Sequence, residues 1–248
     1  MILSRRTLLI GGAGTLLAGC DKLNNSQGFR ETLRGSERLT MRAQRLISSR
    51  EAMAREFSAA DMSPVFRSNG TGNPDTPDYN RLAAGRFADW RLKVDGLVRR
   101  PLLLSLAQLQ SMPRRTQITR HDCVEGWSAI GKWTGAPLSL ILDGAGLRDE
   151  ARYIVFHCLD RYGERPYYES IDLVDAFHPQ TILAWGMNDQ LLPIPNGAPL
   201  RLRVERQLGY KHAKYIGRIE ARATLAGLFG GQGGFWEDSN DYEWYAGI

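Results

Sequence analysis

Cysteine is scarce in this chain, three residues in 248, and lysine supplies only five of the 32 basic side chains. Three cysteines cannot build the disulfide framework of a small secreted scaffold, and the length is ample to bury a core without one. No apolar run reaches the roughly 20 residues that a membrane-spanning helix needs. Gly230-Gly231-Gln232-Gly233-Gly234 lacks the lysine of a phosphate-binding loop, and no dinucleotide glycine fingerprint occurs. A covalently attached haem is excluded by the absence of any C-x-x-C-H. What is present is an ordinary globular composition, 43% apolar and 24% charged, with a formal charge of +5. A basic excess points first to nucleic acid or an anionic membrane. No basic helix enters a recognised nucleic-acid motif, so nucleic acid is not expected as a partner.

The first 19 residues read as an address. Ser4-Arg5-Arg6-Thr7-Leu8-Leu9 sets an arginine pair before a short apolar stretch, and Leu17-Ala18-Gly19-Cys20 closes it with small residues and a cysteine. The stretch resembles a twin-arginine signal ending in a lipobox, cleaved before Cys20, with Cys20 acylated. A general secretory signal that happens to hold two arginines is the alternative. Asp21 resembles the residue that retains lipoproteins at the inner membrane, so the expected location is the periplasm, lipid-anchored to that membrane. Removal of Arg5 and Arg6 lowers the balance from +5 to +3, and residues 30–56 hold seven Arg and four Glu.

Residues 20–60 form an Arg-rich linker. Leu39, Leu46 and Met53, with Ala43 and Phe57 beside them, predict a helix with a narrow apolar stripe that a bilayer's anionic headgroups could meet. Ser63-Pro64 ends that pattern, and residues 61–248 are the expected domain. Alternation in Trp90–Val98, the apolar run Tyr153–Phe156 and the Ile182–Leu192 hairpin turning at Asn188-Asp189 predict strands. In Leu200–Val204 the apolar residues face one way, so Arg201 and Arg203 face the other. Strands mixed irregularly with short helices give an α+β fold.

The densest chemistry is Arg120-His121-Asp122-Cys123-Val124-Glu125-Gly126-Trp127-Ser128. A lone cysteine is usually a small buried hydrophobe. Here polar groups crowd it, and Arg120 or a protonated His121 would favour the thiolate, the form that binds a soft metal or attacks. His121, Cys123, His157 and Cys158 could also be read as a zinc site or a Cys/His nucleophile pair, both with poor spacing. Cys123 and Cys158 either pair or stay free.

Cys-Val-Glu-Gly-Trp-Ser with the following Trp133-Thr134-Gly135 and Pro137-Leu138, Asn196-Gly197-Ala198-Pro199-Leu200-Arg201, Gly209-Tyr210-Lys211-His212-Ala213-Lys214 and the terminal Asp241-Tyr242-Glu243-Trp244-Tyr245-Ala246 occur in one order. Together they resemble the molybdenum-cofactor domain of the sulfite oxidase family, nearest its periplasmic methionine sulfoxide reductase branch. The resemblance implies molybdenum with molybdopterin as cofactor and Cys123 as the thiolate on the metal. It implies pterin contacts at Asn196, Arg201, His212, Ala213 and Lys214, at Gly70 and Thr71, and at Cys158 or Asp160. Tyr242 matches the active-site tyrosine, with Tyr245 close enough to compete. Asn69 stands where sulfite oxidases have an arginine for the substrate anion, which disfavours sulfite.

The expected function is two-electron oxygen-atom transfer, reducing a small-molecule S-oxide or N-oxide, with a membrane haem protein fed by quinol as electron donor. Sulfite dehydrogenation with electrons passing to cytochrome c, and a non-catalytic envelope lipoprotein, are the alternatives.

Overall fold

A computed structural model describes residues 26–248. The arginine pair and Cys20 lie outside the described residues. The chain divides after Ser48 into two compact units. The described part of the first is the helix Gln27–Ile47, whose N-cap Ser26 accepts a hydrogen bond from Phe29 N at 3.2 Å.

That helix stops short of the sequence expectation, which carried its stripe through Met53 to Phe57. Ser48 turns extended, and the following backbone bonds within the second unit. Ala54 N donates to Gln180 Oε1 at 2.7 Å, Ala54 O accepts from Gln180 Nε2 at 3.0 Å, and Phe57 N donates to Ile118 O at 2.9 Å. Residues 49–60 therefore belong with the domain and not with the linker. The heptad spacing of Met53 could not reveal that partners distant in sequence outbid helical hydrogen bonds there.

The second unit contains ten strands: β1 Arg91–Gly96, β2 Leu102–Ser105, β3 Arg115–Cys123, β4 Trp127–Pro137, β5 Tyr153–Tyr162, β6 Arg165–Asp172, β7 Ile182–Met187, β8 Gln190–Leu191, β9 Arg201–Arg203 and β10 Ile216–Arg222. One sheet runs β2-β1-β10-β5-β6, with β1 and β10 parallel and the other pairs antiparallel. The other runs β3-β4-β7-β8, and β9 pairs with β7. Asn188 and Asp189 take positive φ at the β7–β8 turn, as a two-residue hairpin with its strand twist requires.

Period-two alternation sorts the second sheet into two faces. Ala136, Leu183, Trp185 and Leu202 face the main core, which they share with Leu92 and Val94 of β1, Ile154 and Phe156 of β5, Ile219 of β10 and the helix Leu138–Ala145. Gln117, Thr119, His121 and Cys123 of β3 fall on the opposite face. The register brings Gln117 against Trp133, and Arg203 and Arg201 against Ile182 and Ala184. This second face is buried too, and it sets polar side chains beside an apolar cluster of Trp133, Ile182 and Ala184. It positions the site.

Candidate active site

Cys123 ends β3 directly opposite Trp127, where the chain turns through Gly126 at φ 85°. Its half-buried thiol faces a cavity lined also by Asn69, Gly70, Thr71, Asp160, His212, Lys214 and Tyr242. Eight of the residues singled out from sequence thus converge from five separate stretches of chain.

Lys214 explains how the 69–71 loop reaches the strand end. Its Nζ donates to Asn69 O at 2.6 Å, Thr71 O at 2.5 Å and Pro195 O at 2.9 Å, and Tyr215 Oη donates to Thr71 O at 2.8 Å. Gly70, at φ 59°, has no room for a Cβ, which would come 2.8 Å from Tyr162 Oη. Asp160 of β5 engages the Thr71 side chain, and burial pushes its carboxyl up to about 6.

The inner face of the second sheet holds more cation than anion. Arg203 makes a bidentate pair with Glu205, Nε–Oε1 2.8 Å and Nη2–Oε2 2.5 Å, and Gln117 donates to the same carboxylate at 2.8 Å. Arg201, fully buried, has no carboxylate within salt-bridge distance among the described residues. It donates to Asn196 O at 2.9 Å and lies 4.9 Å from the Trp133 ring centroid. Burial, then Arg203, pulls its guanidinium down to about 9, and burial, then Arg201, pulls Lys214 down to about 7. Asp160 only partly offsets Lys214 and Arg201 has no carboxylate, so these buried cations are costly unless a further anion joins them.

Hydrogen bonding also settles two histidines. Arg203 Nη1 is only a donor, so His121 accepts from it through Nδ1 at 3.1 Å. His212 Nε2 meets Gln207 O at 3.1 Å and must donate there, leaving Nδ1 as an acceptor without a protein partner. Both rings are held neutral by burial and the neighbouring arginines. This corrects the expected activation of Cys123: His121 is not protonated, Arg120 Nε is paired with Asp122 at 2.9 Å, and burial pushes the thiol up. Thiolate character would have to come from a bound metal.

Not every expected residue lines the cavity. Asn196 and Ala213 are buried behind it with Arg201, and Cys158 packs between core clusters with its Sγ 3.9 Å from Phe156 O. Cys123 and Cys158 are both free thiols. The zinc reading fails, since His157 bonds Glu220 at 2.9 Å and no three potential ligands gather among the described residues. Tyr242 rather than Tyr245 lines the cavity.

Sequence reasoning passed over Tyr162, Tyr167, Tyr210 and Trp236, which form the aromatic wall. Trp236 stacks on Tyr242 with centroids 5.9 Å apart and meets Tyr162 edge-on at 5.3 Å. Tyr210 inside the Gly209–Lys214 motif and Trp236 close to the C-terminal motif were the available signals, but Tyr162 and Tyr167, isolated aromatics, read equally well as core.

Buried polar atoms without a protein partner gather here: Asn69 Oδ1, Asp160 Oδ1, Asn196 Nδ2, Arg201 Nε and His212 Nδ1. Donors, acceptors, two excess cations and a thiol suit a heteroaromatic ligand that ends in phosphate and carries a thiophilic metal.

Residues 80–226 match the family model described as the oxidoreductase molybdopterin binding domain. The chain is 34% identical over 243 residues to the provisionally named protein-methionine-sulfoxide reductase subunit YedZ1 of Azospira oryzae, covering 98% of this chain and 86% of that one. It is 38% identical over 143 residues to the protein-methionine-sulfoxide reductase catalytic subunit MsrP of Gluconobacter oxydans, covering 52% of this chain and 46% of the relative. The crystal structure of the sulfane dehydrogenase SoxCD from Paracoccus pantotrophus shares the fold at a TM-score of 0.51 and 23% identity, over 55% of this chain and 39% of that one. The cavity's residues fit the cofactor and the family model spans most of the domain, so the chain belongs to the molybdopterin-binding oxidoreductases and is an enzyme with the α+β fold of the sulfite oxidase type.

Proposed function

We propose that the chain is a periplasmic reductase of S-oxides, with methionine sulfoxide as the substrate class that the names of its relatives supply. The observation that supports it most is the convergence of Cys123, Asn69 and Tyr242 on one cavity backed by the buried cations Arg201 and Lys214. The net reaction consumes two electrons and two protons per S-oxide and yields a thioether and water.

When bound, the cofactor supplies two-electron oxygen-atom transfer at its metal. Cys123 holds that metal. Arg201, Lys214, Asn196, Ala213 and His212 hold the pterin and its phosphate, and Cys158 shapes the wall behind them. The neutral Asn69 amide suits an uncharged S–O dipole better than an anion. Tyr242 donates its phenolic proton as a hydrogen bond to the substrate oxygen. Trp236 and Tyr162 line the cavity with aromatic surface for the alkyl sulfur. Cys20, acylated after a twin-arginine signal is removed, ties the enzyme to the inner membrane near a haem protein fed by quinol.

Three measurements test this on protein produced with its cofactor machinery. Molybdenum should be near-stoichiometric and vanish in Cys123→Ser; a metal-free, monodisperse wild type overturns the reading. Steady-state turnover should favour methionine sulfoxide reduction over sulfite oxidation, and the reverse preference overturns the substrate. Intact mass of membrane-extracted protein should show a diacylated or triacylated Cys20; an unmodified soluble chain overturns the anchor.

A further inference from the structure

The helix Gln27–Ile47 carries two chemically distinct faces. At 100° per residue, positions 30, 34, 38, 42 and 45 are all arginine and fall on one side. Phe29, Leu33, Leu39, Ala43, Leu46 and Ile47 fall on the other, with Thr32, Ser36 and Thr40 between them. Leu39 is 65% exposed, Leu46 88% and Ile47 86%. The helix carries five arginines against two glutamates. It is too polar to cross a bilayer: no described helix is long and apolar enough. An amphipathic helix of this length is marginal alone in water and gains its stability from whatever covers the apolar side.

We propose that this helix is a membrane-interface element, lying in the plane of an anionic bilayer with Leu33, Leu39, Leu46 and Ile47 among the acyl-chain ends and Arg38 and Arg42 at the phosphates. Charge complementarity selects this occupant. Pairing with a second copy would rest on a seam interrupted by Ser36 and Thr40, and would bring two arginine-rich helices together. A protein partner would need an acidic face, whereas a phospholipid surface offers negative charge and apolar depth at once. The helix begins seven residues after Cys20, and seven extended residues span roughly 23 Å at most. Acylation at Cys20 would keep it at the surface, but the helix binds without an acyl chain.

The test uses the cofactor-loaded mature chain with Cys20→Ser, which has no acylation site. Flotation with vesicles of 70% phosphatidylcholine and 30% phosphatidylglycerol is compared with flotation on pure phosphatidylcholine. Binding should be at least tenfold stronger on the anionic vesicles and should fall by about tenfold or more between 0.1 and 0.5 M salt. Arg38→Gln with Arg42→Gln should weaken it more than tenfold, at roughly fivefold per arginine. Leu39→Glu with Leu46→Glu should abolish it, and melting of the catalytic unit should stay unchanged in both variants. Absence of binding to anionic vesicles overturns the proposal, as does binding that ignores charge and salt. A stable dimer in solution that only the leucine variant dissociates, without vesicle binding, assigns the face to a second copy instead. Because the protein lacks the acylation site, failure here leaves the lipid anchor to be judged by its own mass measurement.

Discussion

Arg201 lies 4.9 Å from the Trp133 ring centroid and finds only carbonyl oxygens for its hydrogen bonds, Asn196 O at 2.9 Å and His212 O at 3.5 Å. Its neighbour Arg203, two residues on and on the same face, has Glu205. A fully buried guanidinium with no anion is a destabilising feature unless the phosphate of the cofactor completes it. Arg201→Met fills the same space without charge. The cofactor-free variant should melt no lower than cofactor-free wild type, while pterin released from purified protein should drop by tenfold or more. A cofactor-free variant that melts markedly lower would show Arg201 to be structural instead.

The Asp160 and Lys214 pair predicts the pH dependence of the cofactor-free protein. The Asp160 carboxyl stands at about 6 against an ordinary 3.8. A raised carboxyl favours the folded state at low pH, and that stability is lost as pH climbs from 3.8 to about 6. The amount is on the order of 3 kcal/mol, at 1.36 kcal/mol per pH unit. Lys214 stands at about 7 against 10.5, so its penalty is complete below pH 7 and is relieved between pH 7 and 10.5 as the unfolded chain alone keeps the proton. By urea unfolding across pH 4 to 10, wild-type stability relative to Asp160→Asn should fall between pH 4 and 6 and stay level above it, and relative to Lys214→Met it should rise between pH 7 and 10.

Gly209 is packed against the catalytic strand. A Cβ there would come 2.5 Å from His121 Nε2 and 3.1 Å from Asp122 O, and His121 cannot swing aside without giving up its bond from Arg203. Gly209→Ala should destabilise the domain by about 1–3 kcal/mol. At roughly 2–4 °C per kcal/mol for a domain of this size, calorimetry should find the melting temperature several degrees lower. An unchanged melting temperature would mean that the turn before Tyr210 is looser than its contacts imply.

Tyr242 sits between Tyr210, 5.0 Å away edge-on, and Trp236, stacked at 5.9 Å. Tyr242→Phe keeps both ring contacts and deletes only the hydroxyl. If the hydroxyl stabilises charge developing on the substrate oxygen, kcat should fall about 100-fold with KM little changed. Tyr245→Phe should alter kcat by less than about threefold, since Tyr245 does not line the cavity. Equal losses from both would assign the effect to packing.

A separate buried cluster braces the aromatic wall. Lys211 Nζ lies 2.7 Å from Glu169 Oε2 and 2.5 Å from Glu237 Oε1, with all three side chains shielded from water. Two carboxylates cannot share one ammonium in such a place and both stay charged, and burial with the Glu237 charge pushes Glu169 well up. Glu169→Gln should therefore be tolerated at neutral pH, within about 1 kcal/mol, while Lys211→Met should cost about 3–5 kcal/mol by stranding the carboxylates. Chemical denaturation of the two variants checks the contrast.

Much of this was readable from the chain. Period-two alternation assigned β1, the β7–β8 hairpin and the two faces of β9, because a strand's side chains must alternate whatever surrounds them. The order of short motifs supplied the cofactor and most of the cavity's residues. The helix end at Ile47 was not readable: its stripe continues in sequence, and only Gln180 and Ile118, far along the chain, draw residues 49–60 away. The ionisation at Cys123 was misread for a related cause. Sequence proximity of Arg120 and His121 suggests positive charge at the thiol, but strand alternation sends Arg120 outward to Asp122, and Arg203, some 80 residues away, fixes His121 neutral.

The sequence by itself determined the class of protein, the strand faces and the identity of the residues with cofactor chemistry, since these follow from residue type and local spacing. Tertiary structure alone decided that Arg203 has a carboxylate and Arg201 does not, that His121 and His212 are neutral donors and acceptors of defined sense, and that Tyr242 rather than Tyr245 reaches the cavity. Each of these depends on burial and on partners distant in sequence, and the free energy of a buried charge or polar atom is set by what surrounds it, not by its neighbours along the chain.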